Sequence, residues 1–414
     1  MTDLSAGISH RNSALWFAAG CQLLAMLSWF SFSGMEPAIS REWGLTERQV
    51  GGILAAFQGG YCAFVLLAGH LADRFDPKKV MVAGMAVAGA AQIGFALQAS
   101  GFAAAILWRV LTAVGLAGVY IPGLRYLGTH FEPKRLGKVY GIYVGALVLG
   151  SGGSLLFIGP LLTLFIWRDV SFAIGLAGLA AAAVMAFAPA SGARQAPMPA
   201  VTPVRENSRG MLRTLFGNPL FVMFVFGYVL HMWELYAFWG WINPFFYRAL
   251  SPAMGEVWPT LLGGLAIVLG ALGTWLGGWL SDRFGRVKVL IPLQAASVAL
   301  AGTFGWLMLS PAAATAAGMI YGLIVVADSP IFSAGVANNV EPRYAGFALS
   351  LQQVLGYVVT VVSPLAVGWT LGAFGNTPAG WGIAFGVLGL GPLLAVPLLF
   401  VLTGIAKRQG RIIA

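Results

Sequence analysis

Six ionisable side chains stand inside long apolar runs: Glu36, Arg109, Arg125, His231, Glu234 and Asp328. A charge at the centre of a bilayer costs about 2.5–3.5 kcal/mol on insertion scales, so such residues default to function. His231 and Glu234 lie three residues apart in HMWELYAFWGWINPFF and share one helix face. A proton relay suits that pair, since carboxyl and imidazole groups exchange protons as their surroundings change. A carboxylate at Glu234 could equally pair with Arg109 or Arg125. A metal site is not expected, because no second His or Cys cluster accompanies the pair. Asp328 precedes Ser329-Pro330, where the helix should break; freed backbone groups and a carboxylate there suit binding or a hinge, and helix capping is the structural alternative. Proton-coupling candidates are therefore Glu234, Asp328, Glu36 and His231.

Arg109 and Arg125 have the chemistry to grip an anion, through the planar fork of the guanidinium. Arg109 could instead serve a structural partner, a carboxylate or carbonyls of the first span. Arg125 follows 16 residues later, about 24 Å along an ideal helix and turned by roughly 160°, with Pro122-Gly123 between them. It would line the cytoplasmic half of a cavity or snorkel to lipid headgroups. Aromatic residues crowd the same region as His231: Trp233, Tyr236, Phe238, Trp239, Trp241 and Tyr247. Trp241 and Tyr247 read as an interfacial belt, whereas Trp233 and Tyr236 are deeper and able to stack on a substrate. Candidate substrate contacts are Arg109, Arg125, Tyr120, Trp233, Tyr236, Tyr61 and Tyr357. Asn243-Pro244 predicts a helix break near the outer mouth.

These residues need elements to hold them, and the composition says which. Of 414 residues, 58% are hydrophobic and 9% are charged, against about 25% charged in a soluble domain. A spanning helix needs roughly 20 apolar residues. Twelve such runs occur, at about 14–37, 49–72, 80–99, 103–127, 138–160, 166–188, 218–247, 259–281, 288–309, 313–338, 345–372 and 380–405. The runs are continuous, which excludes a transmembrane β-barrel with its alternating strands. The 56 glycines suit close helix packing in lipid.

A net charge of +10 invites a nucleic-acid reading, and its distribution rejects one. With alternating helices, 18 of the 24 Lys and Arg residues fall on one side: Arg11, Arg74, Lys78, Lys79, Lys134, Arg135, Lys138, Arg194, Arg205, Arg209, Arg213, Arg283, Arg286, Lys288, Arg343, Lys407, Arg408 and Arg411. The opposite loops hold Arg41, Arg48, Arg168 and Arg248. This bias predicts a multi-pass protein of the cytoplasmic (inner) membrane with both termini in the cytoplasm. Cys21 and Cys62 lie in apolar runs and read as buried thiols. The first run is too long for a cleavable signal and lacks its cleavage site.

The segment GHLADRFDPKKV (Gly69–Val80) returns after 209 residues as GWLSDRFGRVKV (Gly278–Val289). The same offset places Glu132-Pro133 on Glu341-Pro342 and Gly137 on Gly346. Scarce Asp and Arg residues keep register, so the chain reads as two copies of one helical bundle. The polar, Pro-rich and basic stretch 190–216 reads as a cytoplasmic linker between bundles 1–189 and 217–414.

The repeated loop resembles the signature of the major facilitator superfamily, roughly G-x-L-a-D-r-x-G-r-k, in Gly69, Leu71, Asp73, Arg74, Lys78 and Lys79. The second copy offers Gly278, Leu280, Asp282, Arg283, Gly285 and Arg286. The first copy departs at Asp76-Pro77, where Gly-Arg is usual. Arg109 with Gly115 is similar to the family's R-x-x-x-x-x-G element. Gly145, Gly150, Gly152, Gly153 and Gly159-Pro160 only partly resemble the antiporter motif, because the Gly-Pro follows the Gly-Gly pair. The resemblance implies an all-α membrane protein of 12 transmembrane helices in two pseudo-symmetric six-helix bundles. It implies that spans one, four, seven and ten line a central cavity, and all six intramembrane ionisable residues fall on those spans. It also implies gating by Asp73, Arg74, Asp282 and Arg283, with Asp73 docking the two halves in an outward-open state.

No phosphate-binding loop, Ser-His-Asp order or Cys-His metal pattern appears in the sequence, so neither ATP hydrolysis nor another enzyme activity, cofactor or metal is expected. The leading expectation is secondary transport of a small organic anion by alternating access, proton-coupled, in a monomer whose partners are substrate, coupling ion and bilayer. The rival is a proton-coupled efflux carrier for amphipathic or cationic compounds, in which the acidic and aromatic groups bind substrate and Arg109 is structural. A transporter-like sensor that moves nothing is a third, distant reading.

Overall fold

The computed structural model describes residues 2–192, 208–341, 344–408 and 410. Residues 193–207 of the expected linker, and with them Arg194 and Arg205, lie outside the described residues, as do Pro342, Arg343 and Arg411. Twelve described helical segments are long and apolar enough to cross a membrane: Asn12–Trp43, Glu47–Arg74, Pro77–Gln98, Phe102–His130, Arg135–Leu161, Trp167–Ala186, Pro219–Met254, Val257–Phe284, Arg286–Leu309, Pro311–Asn338, Phe347–Phe374 and Pro378–Ile405. They follow the twelve apolar runs in order and are called the first to twelfth spans below. The chain clusters into two compact units, Met1–Met198 with Met254–Leu265, and Pro199–Ala253 with Ala266–Ala414.

Both copies of the repeated loop make a tight turn between helices, by different chemistry. In the first, Asp76 caps the third span: its Oδ1 accepts from the Lys78 N–H at 2.9 Å and Pro77 takes the first turn. Pro has no N–H to leave unsatisfied there. Asp76-Pro77 thus replaces the usual Gly-Arg with a helix start. In the second copy Gly285 precedes the ninth span with φ of 92°, a left-handed conformation that favours glycine.

Within each unit, small residues bring helices together. A Cβ on Gly84 in the third span would lie 2.7 Å from the Gly115 carbonyl oxygen of the fourth. In the second unit, a Cβ on Gly273 or Gly277 of the eighth span would meet the carbonyl oxygens of Leu323 and Ala327 in the tenth at 1.8 and 1.9 Å. Such contacts bring backbones close enough for dispersion to hold helices together in lipid.

Two spans are broken. The tenth runs as Pro311–Ile324, a turn over 325–328, and Ser329–Asn338. Pro330 accounts for this: it has no N–H for the carbonyl four residues back, and its ring disfavours helix before it. The first span also breaks, between Thr2–Met26 and Ser31–Trp43, with no Pro or Gly at the break. Contrary to the expectation at Asn243-Pro244, the seventh span is one helix over Pro219–Met254. Residues 234–246 are buried throughout, and such packing keeps a helix intact through a proline in lipid.

Candidate functional site

In the first unit the charged centre is Arg109 of the fourth span, 1% exposed. Its Nη1 donates to the Ser28 carbonyl at 2.9 Å, to Ser31 Oγ at 3.0 Å and to Gln92 Oε1 at 3.3 Å. Its Nη2 donates to the Trp29 carbonyl at 2.8 Å. The Phe57 ring lies 4.3 Å from the guanidinium carbon. At the break in the first span the backbone tightens, the Trp29 N–H donating to Met26 at 2.9 Å, three residues back. The guanidinium caps carbonyls at that break, so Arg109 faces one of the two partners considered for it, the first span. Gln92 continues the cluster by donating to Ser171 Oγ of the sixth span at 2.9 Å.

Arg125 forks onto Asp73 of the repeated loop, with Nη2 3.0 Å from Oδ2 and Nη1 in contact with Oδ1. Arg74 is exposed beside it. Tyr61 is buried with its ring edge-on to Trp29, centroids 4.8 Å apart. Tyr120 stacks on Tyr143 at 6.2 Å with an interplanar angle of 1°. Glu36 is buried in the Ser31–Trp43 part of the first span and accepts from Ser40 Oγ at 2.8 Å.

In the second unit, His231 and Glu234 face the ninth and tenth spans. Glu234 accepts from Tyr321 Oη at 2.6 Å and from Ser297 Oγ at 3.0 and 2.9 Å. Among the described residues of this unit, no lysine or arginine is its partner. His231 Nδ1 lies 2.8 Å from Asp328 Oδ1. That contact is one of charge, when the ring is protonated, rather than an aligned hydrogen bond, since neither ring nitrogen has a hydrogen-bond partner by geometry. Gln294 of the ninth span donates to Asp328 Oδ2. All six side chains are buried. Asp328 ends the broken turn of the tenth span, and its carbonyl accepts from Ile331 and Phe332 at 3.0 Å each.

Tyr236 and Tyr357 meet edge to face at 6.1 Å, with Trp239 beside Tyr236 at 5.5 Å. Trp233 stands apart from them and donates its indole N–H to the Val387 carbonyl of the twelfth span at 3.1 Å. Asp282 and Arg283 are exposed, with Arg283 5.6 Å over the Trp279 ring. The fold thus joins His231 to Asp328, Arg125 to Asp73 and Tyr236 to Tyr357. Sequence reasoning missed Ser31, Gln92, Gln294 and Ser297. Their signal was present, as uncharged polar residues in apolar runs, but weighting by charge passed over it. Among the described residues no group of three or more His, Cys, Asp or Glu has the arrangement of a metal site.

Comparison with known proteins agrees with this architecture. The family model for the Major Facilitator Superfamily matches residues 18–364. The chain is 25% identical to the probable sulfoacetate transporter SauU of Cupriavidus necator, over 95% of this chain and 96% of that one. It is 22% identical to the voltage-gated purine nucleotide uniporter SLC17A9 of Homo sapiens, over 85% and 83%. Among solved structures, a bacterial homologue of the human lysosomal transporter Spinster superposes with a TM-score of 0.78 at 17% identity, covering 95% of this chain and 97% of that one.

Proposed function

The chain belongs to the major facilitator superfamily, and from that premise we propose that it carries a small organic anion together with a proton, by alternating access. That it is a multi-pass membrane transporter follows from the family and the twelve spans; the proposal concerns substrate and coupling. The observation that carries it is Glu234, a buried carboxylate held by two hydroxyls and, among the described residues of its own unit, by no lysine or arginine. An ionised carboxylate in low dielectric is costly without a cationic partner, which suits a group that picks up and releases a proton in each cycle. Asp328 and His231 extend the site. The anionic substrate class is supported by the relative named for sulfoacetate, which carries a sulfonate and a carboxylate. A co-transported proton would offset part of that charge.

The loop charges support both termini in the cytoplasm and the inner membrane as the site of action. Bundles 1–189 and 217–414, joined by the linker 190–216, would rock as a monomer. Gating would use Asp73 and Arg74 with Asp282 and Arg283, and the substrate would meet Arg125, Tyr61, Tyr120, Tyr236 and Tyr357.

One observation favours the rival efflux reading. The guanidinium of Arg109 is engaged by the first span, leaving acidic and aromatic groups as the more available contacts. A thermal-shift screen of the purified protein separates the two, since a ligand that binds the folded state raises its melting temperature. Stabilisation by sulfoacetate or small carboxylates, lost in Arg125→Ala, supports the anion. Stabilisation by lipophilic cations, lost in Glu234→Gln, replaces it with efflux.

A further inference from the structure

We infer that Tyr321 and Asp328 form a proton-sensitive brace across the break in the tenth span, with Tyr321 the positioning residue that ties protonation of Glu234 to movement of that helix. The inference rests on the proton-coupling reading above and adds the part that moves.

The geometry is specific. His231 and Glu234 share one face of the unbroken seventh span, three residues apart. Their partners on the tenth span lie on opposite sides of its break: Tyr321 in Pro311–Ile324, and Asp328 at the start of Ser329–Asn338. An unbroken helix is thus pinned to a broken one above and below the weak point. Through the turn the backbone is held by three-residue bonds, Ala327 to Ile324 at 3.0 Å and Ser329 to Val326 at 3.2 Å, poorer in geometry than helical ones. Behind it the carbonyls of Leu323 and Ala327 rest on Gly273 and Gly277, where no side chain keys them in place.

The titratable groups facing Glu234 are His231 on its own span, and Tyr321 and Asp328 on the tenth; the ninth contributes Ser297 and Gln294. A phenol bound to a carboxylate is a charge-assisted hydrogen bond, roughly twice as strong as one between neutral groups. Protonating Glu234 removes that assistance on one side of the break, while the Asp328 contact holds the other side. The event loosens the brace without breaking a covalent bond or leaving a buried charge uncompensated. The Tyr321 ring keeps its packing on Phe238 and Phe304, at 4.4 and 5.7 Å, so removing its hydroxyl isolates the brace from the core.

The test is hydrogen–deuterium exchange of amides 322–332 in the detergent-purified full chain, corrected for intrinsic rates, across the pH range in which proteoliposome uptake is measured. In the parent protein, protection should fall as the pH falls, by on the order of tenfold for one charge-assisted bond. Tyr321→Phe should be weakly protected at every pH, and Ser297→Ala should show a smaller loss. Thr315→Ala, whose hydroxyl bonds within its own turn, should behave as the parent. Melting temperature reports whether each variant is folded, and Ser297→Ala carries the test if Tyr321→Phe is not. PH-dependent protection that survives removal of either hydroxyl overturns the brace. Protection indifferent to pH, in a protein whose uptake follows a pH gradient, overturns the brace and leaves proton coupling standing. Uptake indifferent to the gradient overturns both.

Discussion

The hydroxyl of Tyr321 donates to Glu234 Oε1 at 2.6 Å, joining the seventh span to the tenth just before the tenth span breaks. Glu234 is thereby fixed in place while remaining the kind of group that exchanges a proton. Glu234→Gln keeps the shape and both hydroxyl partners but cannot carry a proton. It should lose uptake driven by a pH gradient and retain exchange of labelled for unlabelled substrate, both measured in proteoliposomes. Accumulation that still follows the gradient in this variant would remove Glu234 from coupling.

Arg109 should behave as a structural residue. Its two terminal nitrogens bridge the carbonyls of Ser28 and Trp29 at 2.9 and 2.8 Å. Lysine is a point charge and cannot span both. Arg109→Lys should cost on the order of 2–3 kcal/mol of stability, the penalty for weakening a buried charge-assisted pair. A lower melting temperature with unchanged substrate affinity in the folded fraction is the expected result. A normal melting temperature with lost affinity would return Arg109 to the substrate site.

What the sequence disclosed and what it hid divides by the range of the interaction. Helix number and order follow from apolar runs, and the break before Pro330 follows from a ring that blocks its own helix; both causes are local. The break in the first span has no such marker in Leu27, Ser28, Trp29 and Phe30. It is held by Arg109, some 80 residues away in sequence. Asn243-Pro244 carried the local marker, yet buried packing along the seventh span overrode it. At the site, Glu234, His231 and Asp328 stood out because charge is rare in these runs. Gln294 and Ser297, which hold two of them, are neutral and blend with polar residues found elsewhere in the spans.

Arg125 and Asp73 should act as one unit. Arg125 grips both carboxylate oxygens of Asp73, with its own side chain 15% exposed and that of Asp73 43%. Residues in one ion pair are non-additive in their effects. If the pair is what matters, the double variant Asp73→Ala with Arg125→Ala should transport no worse than the poorer single variant. Additive losses in initial uptake rate would mean that Arg125 has a second role, and a raised substrate Kd in Arg125→Lys would place that role at the substrate.

Two adjacent glycines give a sharper test of the tenth span's seat. A Cβ at Gly277 would stand 1.9 Å from the Ala327 carbonyl oxygen, whereas one at Gly278 meets nothing within 4 Å. The obstacle at Gly277 is backbone, which cannot rotate aside as a side chain can. Gly277→Ala must therefore push the broken turn away from the eighth span and carry Asp328, the next residue, with it. Overpacking of this kind costs about 1–3 kcal/mol. A lower melting temperature and weaker gradient-driven uptake are expected for Gly277→Ala, with Gly278→Ala melting as the parent does. Because Gly278 opens the repeated loop motif, its transport rate is a separate question, and melting temperature is the fair comparison. Equal melting temperatures for the two variants would mean that the tenth span accommodates the methyl freely and that the seat does not fix the position of Asp328.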